Sequence, residues 1–265
     1  MLERIDNYMK ILAVGDVIGT VGKNMLKEYL AKIKEENQID FTIVNGENSA
    51  DGLGITKIDL DEIYKYGADA VTLGNHTWAK RDIFKFIDHE TKLIRPANYN
   101  EGVPGKGYQI FSVNNKKIAV ISLIGRVDID VLSENPFLKV QKIISKIRKE
   151  IDIIVVDFHA EATAEKIAMG YFLDGKANIL FGTHTHVQTA DEKVLNKGLG
   201  YITDIGMTGP KHSVIGMEVD IAIKRFTTGL PERYKMALGD GIFNGCIFEI
   251  NDKNNQIEKV NRISF

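Results

Sequence analysis

A single cysteine, Cys246, stands among 265 residues. That scarcity removes two classes at once: no internal disulfide can staple the chain, and no thiolate cluster can hold a metal. Any metal must then be bound by His, Asn and carboxylate groups. Charge of one sign is also missing. With 34 Lys+Arg against 36 Asp+Glu, the net charge is −2, so no overall positive field exists to hold long nucleic acid. A small or locally bound substrate is expected instead. Long hydrophobic runs are absent too. None reaches the roughly 20 residues that span a bilayer, and the start MLERIDNYMK is too polar for a secretory leader. A cytoplasmic location without a membrane partner is the expectation. What remains is an ordinary globular composition, 44% hydrophobic and 26% charged. We expect one domain over residues 1–265, with residues 1–9 as an N-terminal extension.

Apolar, β-branched runs at 10–14, 41–44, 69–73, 153–158 and 177–181 read as buried strands. Amphipathic helices are expected at about 23–36, between Thr56 and Gly67, and at 80–89, 137–151, 163–169 and 218–226. Three strand–helix units in succession predict right-handed parallel crossovers. Residues 109–113 and 117–123, joined by Asn114-Asn115, read as an antiparallel hairpin on a tight turn. A mixed sheet follows.

Polar residues collect just beyond these strands, where α/β sheets place their ligands. Asp16 follows the first strand, Glu47 and Asn48 the second, and Asn75 and His76 the third; His159 and then His184 and His186 follow the later two. Of six histidines, only His89 and His212 fall elsewhere. In an extended chain residues two apart share a side, so His184 and His186 can converge on one point. Taken singly, each group has a plain reading: Asp16 as a helix cap, Glu47-Asn48 as a polar turn, Asn75-His76 as a surface loop, His159 as a satisfied core histidine. Together they supply seven candidate ligands besides His76. One ion rarely takes that many from protein while keeping a position open for water, whereas two ions sharing Glu47 would use them all. Glycines 15, 19 and 22 ahead of Lys23 suggest a phosphate loop only superficially. Val17 and Asn24 break the Walker spacing, and GxGxxG is not met. Trp78 and Tyr99 are assigned to core or rim, and Arg95 and Arg126 to structural roles.

The segments GD at 15–16, GEN at 46–48, GNH at 74–76, His159 and GTHTH at 182–186 occur in the order of the binuclear calcineurin-like metallophosphoesterases. The longer runs GDVIG, NGEN, GNHTW, RPAN, DFHAEAT, GTHTHVQTAD and YITDIGMTGP resemble the YmdB-like branch, from Lys10 nearly to the C-terminus. This resemblance implies an α/β fold, a four-layer αββα sandwich with two central mixed β-sheets. It implies hydrolysis of small cyclic-nucleotide phosphodiesters such as 2′,3′-cyclic AMP, with a regulatory role in RNA turnover or biofilm formation. It also implies two divalent or trivalent metal ions per chain, iron or manganese, with zinc and cobalt compatible with the same oxygen and nitrogen donors. One ion would be held by Asp16, Glu47, Asn48 and His186, the other by Glu47, Asn75, His159 and His184. His76 would stay unligated as proton donor to the substrate. A homo-oligomer is compatible with the resemblance. Competing readings are a phosphomonoesterase such as a nucleotidase, and a regulatory protein that binds RNA or a protein partner around structural metals. Three positions depart from the wider superfamily: Ile18 replaces a histidine, Glu47 replaces the usual bridging Asp, and Thr77 supplies no carboxylate to orient His76.

Overall fold

The computed structural model describes residues 8–265. Residues 1–7 of the expected extension lie outside the described residues, and Tyr8 and Met9 already belong to the first strand. The first half of the chain runs β1 (Tyr8–Val14), β2 (Asp16–Val17), α1 (Gly19–Asn37), β3 (Phe41–Asn45), α2 (Lys57–Lys65), β4 (Ala70–Thr72), β5 (Leu93–Ile94), β6 (Tyr108–Val113) and β7 (Lys116–Ile124). Then come α3 (Pro136–Ile147), β8 (Ile153–His159), α4 (Thr163–Leu173), β9 (Ile179–Thr183), β10 (Lys193–Val194) and β11 (Gly200–Ile202). The chain ends with β12 (Met207–Pro210), α5 (Val219–Thr228), β13 (Gly241–Ile242), β14 (Asn244–Asn251) and β15 (Ile257–Ser264).

Two six-stranded sheets result, in the orders β15-β14-β1-β3-β4-β5 and β10-β11-β9-β8-β7-β6. Both are mixed: β1, β3, β4 and β5 run parallel while β14 opposes both its neighbours, β1 and β15, and β7, β8, β9 and β11 run parallel between antiparallel β6 and β10. Alternation of side chains along each strand divides the core. In β1, Ile11 and Ala13 face the second sheet, while Leu12 and Val14 face α1 and α2. In β8, Ile153 and Val155 face the first sheet, while Ile154 and Val156 face α3 and α4. Three separate cores of this kind make the expected αββα sandwich.

The hairpin of β6 and β7 turns on Asn114 (φ 48°) and Asn115 (φ 63°), consecutive left-handed residues that match the twist of the flanking strands. Thr56 caps α2 through a reciprocal box with Asp59. Other elements differ from expectation. The helix expected at 23–36 begins at Gly19, because Gly22 lets it lie against β12: a Cβ there would meet the Thr208 carbonyl oxygen at 2.3 Å. The helix expected at 80–89 is a 3₁₀ turn over Arg81–Lys85. Of its apolar residues Ile83, Phe86 and Ile87 are buried while Phe84 is 51% exposed, and Asp82 accepts from the Lys57 amide and Asp88 from the Gly105 amide, which anchors the segment to its neighbours at both ends. α3 stops at Ile147, and extended Ile151 turns into the approach to β8. The small sheet β13-β12-β2 was not foreseen, since two-residue strands carry no periodicity.

Among the described residues no helix is long and apolar enough to cross a membrane. Cys246 lies buried in β14, and burial pushes its thiol pKa up. A water-soluble disulfide reagent is therefore expected to leave the native protein unlabelled and to react only across the unfolding transition. Rapid labelling without denaturant would contradict that packing.

Candidate metal centre

Strand ends from both sheets meet over one edge of the sandwich. Leaving β3, the chain turns at Asn45, whose side-chain oxygen accepts from the Glu47 amide at 3.2 Å. Glu47, Asn48 and Asp16 are all buried. Leaving β4, Gly74 passes directly beneath the site: a Cβ there would lie 2.3 Å from His159 Cδ2 and 2.4 Å from Glu47 Oε2. The Gly74 carbonyl is fixed by Thr77 Oγ1 at 2.6 Å and by the Tyr99 hydroxyl at 2.9 Å. Trp78 stacks on Phe84 at 5.3 Å and packs at a tilt against Tyr99 at 5.6 Å. Thr77, Trp78 and Tyr99 thus shape the turn that presents Asn75 and His76. Arg95 donates to the carbonyls of Pro96, Val103, Pro104 and Gly105, a structural use, as expected. Arg126 is exposed, as are His89 and His212.

Three imidazoles share one arrangement. Thr183 Oγ1 donates to Asp157 Oδ1 at 2.7 Å, so its oxygen accepts from His159 Nδ1 at 2.9 Å. His186 Nδ1 donates to the Ile215 carbonyl at 2.9 Å. His184 Nε2 lies 3.0 Å from Glu161 Oε2. In each ring the outer nitrogen therefore carries the hydrogen, which leaves a lone pair on the inner one, the tautomer that metal-binding histidines adopt. The inner atoms converge. His159 Nε2 is 3.0 Å from His184 Nδ1, 3.1 Å from Glu47 Oε1 and 2.8 Å from Asn75 Oδ1. His186 Nε2 is 3.9 Å from Asp16 Oδ1 and 3.3 Å from Asn48 Nδ2, which also lies 3.2 Å from Glu47 Oε1. Glu47 Oε1 is common to both groups.

Two inner nitrogens 3.0 Å apart cannot both present lone pairs without a positive charge between them. Burial opposes charge on His159, yet Glu47 and Asp16 outweigh it and raise its pKa to about 9. Burial, with repulsion from His159, lowers His184 to about 3. Burial raises the Asp16 pKa. Glu47 is buried as well, but His159 and His76 hold its carboxyl well below the usual range. Asp16 Oδ1 is buried without any hydrogen-bond partner, an orphan that a native interior rarely tolerates. Lone-pair imidazoles, two carboxylates and amide oxygens around an unsatisfied buried oxygen fit cations that accept N and O donors. Glu47, His159 and His184 present atoms within 4.8 Å of one another.

His76 is turned the other way. Its Nδ1 faces Asn48 Oδ1 at 2.7 Å and Glu47 Oε1 at 3.4 Å, and its amide donates to Glu47 Oε2 at 3.1 Å. Asn48 and Glu47 therefore orient the ring, the role for which Thr77 offered no carboxylate. Half-turn rotation of the Asn48 amide exchanges its oxygen and nitrogen, so that oxygen can serve either His76 or the Asp16–His186 side.

Sequence reasoning missed the residues behind these rings. Asp157 sits in the apolar run IIVVDFH, and an acid inside a buried strand was the available signal. It accepts from Thr72 (2.5 Å) and Asn45 (3.1 Å) as well as Thr183, and burial raises its pKa to about 6. Asp204 holds the loop in which His184 (φ 99°) and His186 (φ 65°) take left-handed conformations. It accepts from Thr185 N and Oγ1, from the Gly206 amide and from Lys166 Nζ at 2.6 Å. Lys166 and Asp204 are both buried. Lys166→Met strands the carboxylate, and a loss of about 3–5 kcal/mol in unfolding free energy is expected from urea titration. Adding Asp204→Asn should recover part of it; no recovery would mean that the two charges are not coupled.

Two mixed sheets between helical layers, with a histidine–carboxylate cluster at the strand ends, define a metallophosphoesterase. A family model described as YmdB-like protein matches residues 12–263. A 2′,3′-cyclic-nucleotide 2′-phosphodiesterase of Bacillus subtilis (strain 168) is 48% identical over 255 residues, 96% of each chain. The crystal structure of a novel phosphatase from Mycoplasma pneumoniae superposes with a TM-score of 0.92 at 34% identity, over 97% of this chain and 93% of that one. A hypothetical protein from Thermus thermophilus gives 0.91 at 34% identity, over 97% and 99%. The chain belongs to the YmdB-like family.

Proposed function

We propose that the protein is a metal-dependent phosphodiesterase that hydrolyses small cyclic nucleotides such as 2′,3′-cyclic AMP. The observation that carries this reading is the convergence of the inner nitrogens of His159 and His184 with Glu47 Oε1, with His186 Nε2 3.9 Å from the orphaned Asp16 Oδ1. The name of the Bacillus subtilis relative supports the substrate class. Asp16, Glu47, Asn48 and His186 would hold one ion, and Glu47, Asn75, His159 and His184 the other. When bound, such ions supply Lewis acidity and the capacity to acidify an attacking water.

The chain's own groups do the rest. Thr183 with Asp157, the Ile215 carbonyl and Glu161 keep three rings in the ligating tautomer. His76 keeps its Nδ1 hydrogen on Asn48 and Glu47, which leaves Nε2 free of any partner among the described residues. His76 lines one cleft together with Glu47, Asn48, His184 and His186. As water adds to phosphorus and the P–O bond to the ribose breaks, a protonated His76 delivers its Nε2 hydrogen to the departing oxygen. Asn at 48 and 75 contributes oxygen without negative charge, which preserves attraction for the anionic ester.

Hydrolysis of 2′,3′-cyclic AMP and 5′-AMP, measured side by side with metal-loaded protein, tests the reading. Turnover of the cyclic diester in clear excess is expected. Activity confined to 5′-AMP would assign a phosphomonoesterase instead.

A further inference from the structure

The cleft over the histidines has an arm that the chemistry above leaves unused. It encloses about 400 Å³, and beyond the polar end its walls include Leu53, Ile215, Met217, Arg225 and Phe226. That volume lies in the range of small-molecule sites. Its apolar surface is left open: Leu53 is 37% exposed, Ile215 52% and Phe226 81%. α5 explains why. The helix buries only Ala222, ends at left-handed Gly229, and is tied at its flanks by Lys224–Glu232 and Lys235–Glu218 ion pairs. Ala222 anchors the helix, and Phe226, one turn further on, stands over the cleft. No carboxylate pairs with the Arg225 guanidinium among the described residues. A single exposed aromatic is ordinary on any protein. An aromatic, two aliphatic chains and an unpaired guanidinium walling the cleft that holds the candidate metal centre call for a ligand with an apolar planar face.

From this arrangement we infer that the arm is a nucleobase subsite for the cyclic nucleotide whose phosphate lies at the histidines. The inference rests on the proposed activity. Phe226 offers a stacking face, Leu53 and Ile215 pack the base from the sides, and Arg225 donates to the ring acceptors that every base carries. An otherwise apolar wall separates one base from another weakly. It separates a nucleotide strongly from an ester that has no base.

The test compares 2′,3′-cyclic AMP with glycerol 1,2-cyclic phosphate, which keeps the five-membered cyclic diester and lacks the base. For Phe226→Ala, the ratio of kcat/KM between the two esters should fall about tenfold, a typical effect of removing a stacking aromatic, and KM rather than kcat should carry the change. Arg225→Ala should move the ratio in the same direction. Ile223→Ala is the control: Ile223 is on the same helix, 53% exposed and outside the cleft, and its ratio should match the parent's. With Phe226 so exposed, folding is not at stake. An unmoved ratio in Phe226→Ala, or an equal shift in Ile223→Ala, overturns the subsite. A metal-loaded parent that hydrolyses neither ester overturns the activity itself and the inference with it, a result distinct from either of those.

Discussion

Glu47→Gln is expected to lower turnover of 2′,3′-cyclic AMP by about a thousandfold and to reduce bound metal to one ion per chain or fewer. The side chain keeps its size but loses its charge at the point where both groups of ligands meet. Glu47 Oε1 is 3.1 Å from His159 Nε2 and 3.2 Å from the Asn48 amide nitrogen, and its partner oxygen holds the His76 amide at 3.1 Å. A metal site supplies several kcal/mol of transition-state stabilisation, and each 1.36 kcal/mol is tenfold in rate. Metal analysis and steady-state kinetics on the same preparation check both halves. A variant that retains two ions and full turnover would remove Glu47 from the bridging position.

His76→Gln should behave differently. Its ring points its inner nitrogen at Asn48 and Glu47 and takes no place among the converging lone pairs, so metal content is expected to stay at the parent's level. The rate should fall by roughly 10²–10⁴-fold, the usual contribution of a general acid. An ester with a good leaving group, such as bis(p-nitrophenyl) phosphate, needs little protonation and should lose much less. Loss of metal in this variant would place His76 among the ligands and contradict the division of labour.

Much of this was legible in the chain, and the reason is periodicity. β8 and β9 are runs that could only be buried strands, and the parallel order of β3, β4 and β5 follows from the helix or turn between each pair. Asn114 and Asn115 announced the hairpin because few other residues accept two successive left-handed conformations. The candidate site was legible for a different reason: polar residues placed directly after apolar strands have only the sheet edge to occupy. Asp16, Glu47, Asn75, His159, His184 and His186 do meet there. What escaped was long-range. Nothing near Lys166 in the sequence points to Asp204, 38 positions on, and Thr183 reads as a loop residue beyond the strand until Asp157 is seen at its hydroxyl. The 3₁₀ turn at 81–85 buries Ile83, Phe86 and Ile87 but leaves Phe84 exposed, and the carboxylates of Asp82 and Asp88 tie it to distant amides that the local pattern does not reveal. Thr77 was judged as a missing carboxylate, whereas Asn48 and Glu47, from another strand end, do the orienting.

The central claim is a cation-dependent centre built from these strand ends, and it is tested most directly by titrating chelator-stripped protein with manganese or iron while following both bound metal and 2′,3′-cyclic AMP hydrolysis. The arrangement of six donors around a shared Glu47 predicts activity that rises with loading and levels off at two ions per chain. Full hydrolysis by the stripped protein, or saturation without any bound metal, would contradict it.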